Sequence, residues 1–388
     1  MVRSWWFVCV VAVGTLLVGC PFSKSVPVPP FASVHAGGGF SLALDEAGNA
    51  WAWGHDREGQ LGVGGTVFPT FRTKPMPVRM PRGVRFTSVA PGSSHSLALD
   101  ADGNAWAWGS NVLGQLGDGR GRPDVDAPVR VSMPGGVRFT SVAADSQFSL
   151  ALDQHGNAWA WGANWRGELG DGSDVFFRYT PVPVRMPADV AFTSISAGSG
   201  HVLALDHDGN AWAWGWNAYG QLGDGSTDSR STPVPVRMPE RVTFASVVAG
   251  LSTSLALDRD GSVWAWGYDR GALGADDSPV RDTPVPVRMP EGVSFTRVSG
   301  DEGYVLALDQ YSNVWESSTG GAGGAASSGA LMPVNFPEGV TITSISGRDH
   351  SLALDEDGNV WAWRNNFFGQ LGDGSRVSRD APGRVAAP

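Results

Sequence analysis

Residues 190–239 read VAFTSISAGSGHVLALDHDGNAWAWGWNAYGQLGDGSTDSRSTPVPVRMP, and this stretch decides the fold. Four runs inside it, FTSI, LALD, AWAWG and PVPVRMP, alternate between two kinds of side chain with a period of two residues, which is the period of β-strands. The run DHDGN joins the second to the third and places a glycine where a tight hairpin needs positive φ. The stretch therefore predicts four antiparallel strands.

The same unit occurs seven times, and its copies lie 46–55 residues apart. In each copy an aspartate ends the second strand: Asp45, Asp100, Asp153, Asp206, Asp258, Asp309 and Asp355. Both faces of each predicted sheet are apolar, and the paired tryptophans of AWAWG point to one of them. Stacking the sheets around an axis buries both faces. We predict an all-β fold, a seven-bladed β-propeller of four-stranded antiparallel blades over residues 31–388.

Two other repeated features, the alternating prolines and three equivalent histidines, are interpreted as structural and not functional. The fourth strand carries proline at alternate positions, as at Pro233 and Pro235, which removes donors from one edge and predicts an edge strand. His95, His201 and His350 share one position in the unit, where other copies have Phe, Thr or Tyr. Because no catalytic role tolerates that mixture, we interpret these histidines as structural.

The N-terminus has the pattern of a bacterial lipoprotein signal. Residues 1–19 contain a single cation and an uncharged apolar run, and LVGC at 17–20 resembles a lipobox, in which Cys20 is acylated and becomes the first residue. We expect residues 20–30 to be a Pro-rich tether. The lipid would hold the protein in the cell envelope, outside the cytoplasmic membrane or at the outer membrane. Secretion without a lipid remains an alternative.

Composition and motifs argue against several function classes. The chain has 38 Asp and Glu against 28 Lys and Arg, a net charge of −10, so a nucleic-acid partner is not expected. Both cysteines precede the repeats, and no GxSxG elbow occurs. The DHDGN and GQLGDGS runs are interpreted as turns, because they lack the further ligands of calcium and phosphate sites. We predict a protein that is not an enzyme, with no cofactor, no metal and no small-molecule ligand.

The run GNAWAWGxNxxGQLGDG, followed by a Pro-Val strand and then AGxxHSLAL, resembles the regulator of chromosome condensation repeat. The resemblance covers residues 31–388 and implies a propeller whose sequence units are offset from its blades, so that the chain ends share one blade. VPVPP at 26–30 and APGRV at 381–385 both resemble fourth strands, and the sequence leaves open which one closes the ring.

Function does not follow from this resemblance. The eukaryotic chromatin-bound member is a nucleotide-exchange factor for a small GTPase that uses a basic tail and a wedge, and neither is present here, since lysine occurs only at Lys24 and Lys74. Bacterial secreted members are more similar, and one type inhibits β-lactamase through loops at one end of the propeller.

The connections between third and fourth strands differ between units and carry aromatic and arginine residues, the types that dominate binding hot spots. These candidates for partner binding are Phe68, Phe71, Arg72, Trp165, Arg166, Phe176, Phe177, Tyr179, Trp216, Tyr219, Tyr268, Arg270, Phe367 and Phe368. The leading hypothesis is a membrane-tethered, envelope protein-interaction module with a protein partner. Alternatives are an inhibitor of an extracytoplasmic hydrolase and a glycan-binding propeller. Residues 317–330, SSTGGAGGAASSGA, interrupt the sixth unit and predict a flexible loop.

Overall fold

The computed structural model describes residues 30–65, 70–121, 123–268, 280–301, 304–317 and 330–387. In these residues the chain forms seven antiparallel sheets of four strands each, which confirms the predicted propeller. Each blade uses four strands that are consecutive in sequence. Among the same residues, no helix is both long enough and apolar enough to cross a membrane.

The strands have the following bounds. Blades one and two contain β1 (Phe31–Ala36), β2 (Phe40–Asp45), β3 (Ala50–His55), β4 (Phe71–Pro77), β5 (Phe86–Pro91), β6 (His95–Asp100), β7 (Ala105–Gly109) and β8 (Val125–Arg130). Blades three and four contain β9 (Phe139–Asp145), β10 (Phe148–Asp153), β11 (Ala158–Ala163), β12 (Phe177–Pro183), β13 (Phe192–Ala197), β14 (His201–Asp206), β15 (Ala211–Gly215) and β16 (Arg230–Pro235). Blades five to seven contain β17 (Phe244–Ala249), β18 (Thr253–Asp258), β19 (Val263–Tyr268), β20 (Val280–Pro286), β21 (Phe295–Asp301), β22 (Tyr304–Asp309), β23 (Val314–Ser317), β24 (Leu331–Pro333), β25 (Ile342–Gly347), β26 (His350–Asp355), β27 (Val360–Arg364) and β28 (Arg379–Arg384).

The first strands of neighbouring blades contact one another and surround the central axis, while the fourth strands are the outer edges. The prediction that the proline-bearing run is an edge strand is therefore confirmed. Its position is corrected: in blade three the strand is Phe177–Pro183 and does not include the following VRMP. The strand begins earlier in the sequence than predicted, because beyond a bulge Gly162 pairs with Arg178 and Ala163 pairs with Phe177.

Blades stack by placing the tryptophan-bearing face of one on the Leu/Ala face of the preceding one. At the junction of blades two and three, Trp161 packs with Leu97 and Ala105 in one buried cluster. Its indole Nε1 donates to the Gln115 carbonyl of blade two at 2.9 Å. Because the buried indole is paired, a junction combines apolar burial with a satisfied donor.

The second and third strands are joined by hairpins whose glycines have φ of 74–83°, as the sequence predicts. In blade three, Asp153 Oδ1 accepts from the Asn157 N–H at 3.0 Å, and Oδ2 accepts from Trp159 Nε1 at 3.1 Å. Burial acts to raise the pKa of Asp153, but these hydrogen bonds outweigh it and hold the pKa below its ordinary value. The repeated aspartate thus organises the turn and fixes the half-buried tryptophan.

The ring closes differently from what the family resemblance implies. The C-terminal candidate, residues 381–385, belongs to the fourth strand of blade seven, where β28 pairs with β27. In the described residues the chain ends do not share a blade, because each blade is complete from consecutive strands. Blade one packs on blade seven instead, and Phe31 N–H donates to Gly358 O at 3.0 Å, just as Phe86 N–H donates to Gly48 O at 2.9 Å. Most of the other candidate, residues 26–29, lies outside the described residues.

Blade six has four strands, of which the outer two are short. Ser317 pairs with Leu331 in the ladder, so the predicted loop begins after it, and residues 318–329 lie outside the described part. In place of a loop carbonyl, the Glu316 carboxylate accepts the Nε1 proton of Trp363 at 2.9 Å. Glu316 therefore maintains the hydrogen bond that the tryptophan makes at other junctions.

Candidate interaction surface

Antiparallel strands alternate in direction, so the connections of each blade fall at two ends of the propeller. The first-to-second and third-to-fourth connections share one end, called here the loop end. The second-to-third hairpins and the links between blades share the other, called here the turn end. The predicted binding residues belong to the loop end.

In blades two, three, four and seven the third-to-fourth connection is built on a buried asparagine, and in blade one Asp56 takes its place. In blade four, Asn217 is fully buried, its Oδ1 accepts from the Leu222 N–H at 2.9 Å, and its amide donates to carbonyls of Ser226 and Asp228 at 3.0 Å. The Gln221 carbonyl in the same loop accepts from Trp266 of blade five at 2.8 Å. These loops are therefore held rigidly against the next blade and present the residues after the asparagine in fixed positions.

Two of the three most exposed candidates lie on blade three. Trp165 is 55% and Phe176 66% exposed, although both are large apolar side chains. Phe177 and Tyr179 are less exposed, with ring centroids 5.2 Å apart. Arg166 places its guanidinium 4.3 Å from the ring centre of Trp216 on blade four, which is cation–π geometry. Blade three thus presents unburied aromatic area beside an ordered arginine.

The candidates on blades four and five form one aromatic row. The ring centroid of Tyr219 lies 5.3 Å from that of Trp216 and 4.9 Å from that of Tyr268. All three side chains are partly buried. Packing between loops of neighbouring blades therefore fixes these rings, and only their outer surfaces are available to a ligand.

A second group joins blades seven and one. Phe368 lies 4.4 Å from the His55 ring, and Phe367, 62% exposed, contacts Phe368 at 5.0 Å. Arg376 lies 4.5 Å from the centre of the Phe71 ring and 5.3 Å from that of Phe367. The sequence did not single out Arg376 or His55, because neither is conspicuous until the loops are folded together.

Several candidates are placed differently from their prediction. Phe71 and Arg72 lie on β4, Phe177 and Tyr179 on β12, and Tyr268 on β19, so these five belong to strand ends and not to connections. Phe68 and Arg270 lie outside the described residues, as does Cys20.

The centre of the loop end contains an ionic cluster that the sequence did not predict. Arg348 of blade seven reaches Asp145 of blade three and contacts Asp301 of blade six at 3.8 Å. It also donates to Ser93 Oγ of blade two at 3.0 Å. Burial would lower the pKa of Arg348, but the two carboxylates raise it. This arginine links blades across the axis.

The three equivalent histidines lie buried between neighbouring blades, as expected of structural residues. The rings of His95, His201 and His350 are completely buried, and Nε2 of each lies 2.6–2.9 Å from a serine Oγ of the next blade. For His201 that serine is Ser254, whose own proton goes to the Gln221 carbonyl at 2.7 Å. Nε2 of His201 is therefore the donor, and the ring is neutral because its pKa is lowered by burial. Burial lowers the pKa of His201 to about 3.

Comparison of the sequence with protein-family models identifies the repeat. The family model of the regulator of chromosome condensation (RCC1) repeat matches residues 47–99, 102–152, 155–205 and 208–257. A second family model of the same repeat matches residues 86–115, 192–221 and 343–370. The chain belongs to the RCC1 repeat family. In the described part of this RCC1 propeller, no group of three His, Cys, Asp or Glu side chains is arranged to hold a metal ion.

Relatives of this RCC1 propeller include the ultraviolet-B receptor UVR8 of Arabidopsis thaliana, which is 28% identical over 357 residues, 92% of this chain and 70% of that protein. The human E3 ubiquitin-protein ligase HERC2 is 28% identical over 351 residues, but the match spans 89% of this chain and 6% of HERC2.

Solved structures show the same fold. Human WBSCR16 superposes with a TM-score of 0.79 at 22% identity, covering 88% of this chain and 95% of that one. Yeast RCC1 (Prp20), solved with Kap60, gives a TM-score of 0.75 at 21% identity and covers 94% of this chain and 85% of that chain. At these identities the likeness concerns the fold alone.

Proposed function

We propose that this RCC1 propeller is a non-enzymatic protein-interaction module anchored in the cell envelope, and that its loop end binds the partner. The observation that carries the proposal is the exposure of Trp165, Phe176 and Phe367 on rigid loops of one end. Large exposed aromatic side chains gathered at one end are typical of binding surfaces, since water contact with them is unfavourable.

The ordered arginines support a protein partner. Arg166 and Arg376 are positioned by aromatic rings at 4.3 and 4.5 Å, so their guanidinium groups lose little freedom when a partner binds. A protein of the same fold has a protein partner, because yeast RCC1 was solved with Kap60 bound to it. Among the described residues, the exposed aromatic side chains of the loop end lie on blades three and seven, and this uneven distribution favours one large partner over repeated glycan sites.

The position of the chain entry supports an anchored arrangement. Pro30 leads into β1 at the turn end, where it lies against the Gly358 hairpin. A lipid on Cys20 would therefore join the propeller at the turn end through residues 20–30, a tether that reaches about 35 Å when fully extended. The loop end is the opposite end and would face away from the membrane.

The proposal is tested by placing a photo-crosslinking residue at Phe176 and, in a matched control, at Tyr311. Tyr311 is 73% exposed but lies in a hairpin of the turn end. In native envelopes, we expect crosslinks to a defined protein from position 176 that disappear with Trp165→Ala and Phe367→Ala, and none from position 311. Equal crosslinking from both positions would refute the loop-end site. If the captured protein is a hydrolase, loss of its activity on binding would identify the inhibitor form of the proposal.

Anchoring is tested separately. The native chain should partition with membranes and incorporate a labelled fatty acid, and Cys20→Ser should abolish both without changing loop-end crosslinking in extracts. A Cys20→Ser chain that remains lipid-labelled would contradict the anchor.

A further inference from the structure

Links between consecutive blades carry apolar side chains that fill the turn end of each junction. Between blades one and two, Met80 and Val84 of the link pack against the buried cluster that contains Trp108. Equivalent pairs fill five other junctions: Met133 and Val137, Met186 and Val190, Met238 and Val242, Met289 and Val293, and Phe336 and Val340.

The junction between blades seven and one, called here the seam, has no such link. The position of Met80 is taken by Ala387, and that of Val84 by Pro29, which precedes the described residues. Of the described residues, only Val385 is packed as a partly buried side chain against the seam cluster. Its counterparts in five other junctions, such as Val78 and Val236, are 3–4% exposed.

A cavity lies where the link would run. Its volume is about 560 Å³, and it is lined by Pro30, Phe31, Gly358, Val360, Val385 and Ala387 together with polar groups that include Asp357. The cavity, called here the slot, therefore lies at the place in the seam that Met and Val side chains of the link fill at other junctions.

We infer that this slot binds the segment immediately preceding it, residues 21–29, PFSKSVPVP. The segment is joined covalently to Pro30, a residue of the slot wall, so its local concentration there is high. Phe22, Val26 and Val28 supply the residue types that fill the other junctions, where Phe336 already replaces methionine.

Docking of this segment would fill the seventh junction, although no covalent link joins blade seven to blade one there. It would also fix the point at which the N-terminal segment leaves the propeller, on the turn end beside blade seven. The inference concerns packing of the chain on itself and does not require a lipid on Cys20 or a partner at the loop end.

The test is a stability cycle in the full chain. The first change replaces Phe22, Val26 and Val28 with serine, and the second is Ala387→Met, which supplies the missing link side chain. We expect the serine variant to unfold at a lower urea concentration than the parent. Ala387→Met should then raise the midpoint of the serine variant more than that of the parent, because the slot of the parent is already filled. Met238→Ala is the matched control for an empty link position.

Two results would overturn the inference. Identical midpoints for the parent and the serine variant, with equal gains from Ala387→Met, would show that the segment does not occupy the slot. A parent midpoint that rises with protein concentration, together with a doubled mass in solution, would identify a second copy as the occupant.

Discussion

The buried histidines make the ring sensitive to acid, and the repeat itself supplies the control that isolates one of them. His201 of blade four donates to Ser254 of blade five at 2.9 Å. At the preceding junction the equivalent positions hold Phe148 and Val202, both fully or almost fully buried. The double change His201→Phe and Ser254→Val therefore copies an existing apolar pair into a second junction, and it leaves the Gln221 carbonyl bonded to Trp266.

The size of the effect follows from proton linkage. Burial lowers the pKa of His201 from 6.5 to about 3 in the folded chain. Between these pKa values the unfolded chain binds a proton at His201 that the folded chain does not bind. The unfolding free energy is therefore fully retained above pH 6.5 and decreases as the pH falls below 6.5. From pH 7.5 to 4.5 this single group costs about 2.7 kcal/mol of unfolding free energy, at about 1.4 kcal/mol per pH unit below 6.5.

The assay is urea unfolding followed by tryptophan fluorescence at pH 7.5 and pH 4.5, for the parent and the double variant. We expect the parent to lose more stability than the variant over this range, by about 2.7 kcal/mol. The quantity compared is the loss of unfolding free energy between pH 7.5 and pH 4.5, so a difference between the two proteins at pH 7.5 does not affect the result. An identical loss in both proteins would refute the assignment of His201 as a buried neutral ring.

Three further results are expected. Glu316→Ala should lower the unfolding free energy by about 1–3 kcal/mol in urea melts, because it leaves the indole of Trp363 without its acceptor, and Glu316→Gln should recover most of the loss. Arg348→Ala should cost about 3 kcal/mol by the same measurement, because Asp145 stays buried without its partner, and an unchanged midpoint would show that the axial cluster contributes nothing. Ser312→Gly should stabilise the chain by up to about 1 kcal/mol, since Ser312 has φ 67° where other hairpins have glycine, and a lower melting temperature would contradict this.

The blade and the ring could be predicted from sequence because the signal is repeated. Each unit alternates with period two, and the same turn residues recur at the same places, so one unit such as residues 190–239 specifies strands, turns and edge. The closure could not be predicted in this way. Residues 26–30 and 381–385 have the same strand-like pattern, and only the hydrogen bonds of β28 with β27 distinguish them.

The candidate surface was only partly predictable. Aromatic residues that depart from the consensus were found, but Arg348 was not, because its partner Asp145 lies 203 positions away and no repeat relates them. Contacts such as Tyr219 with Tyr268 likewise depend on how neighbouring blades approach each other, and alternation within one unit carries no information about that.

The seven junctions of this ring are variations on one design, so their differences can be interpreted by comparison. Where the next blade offers Ser254, the preceding blade has His201, and where the next offers Val202, the preceding blade has Phe148. At these two junctions polar meets polar and apolar meets apolar, because an unpaired buried group costs more than the pair gains. By the same reasoning Glu316 compensates for a missing carbonyl, and the slot at the seam, where other junctions hold Met and Val, calls for an apolar occupant. The departures from the repeat therefore indicate which junctions have a packing arrangement of their own.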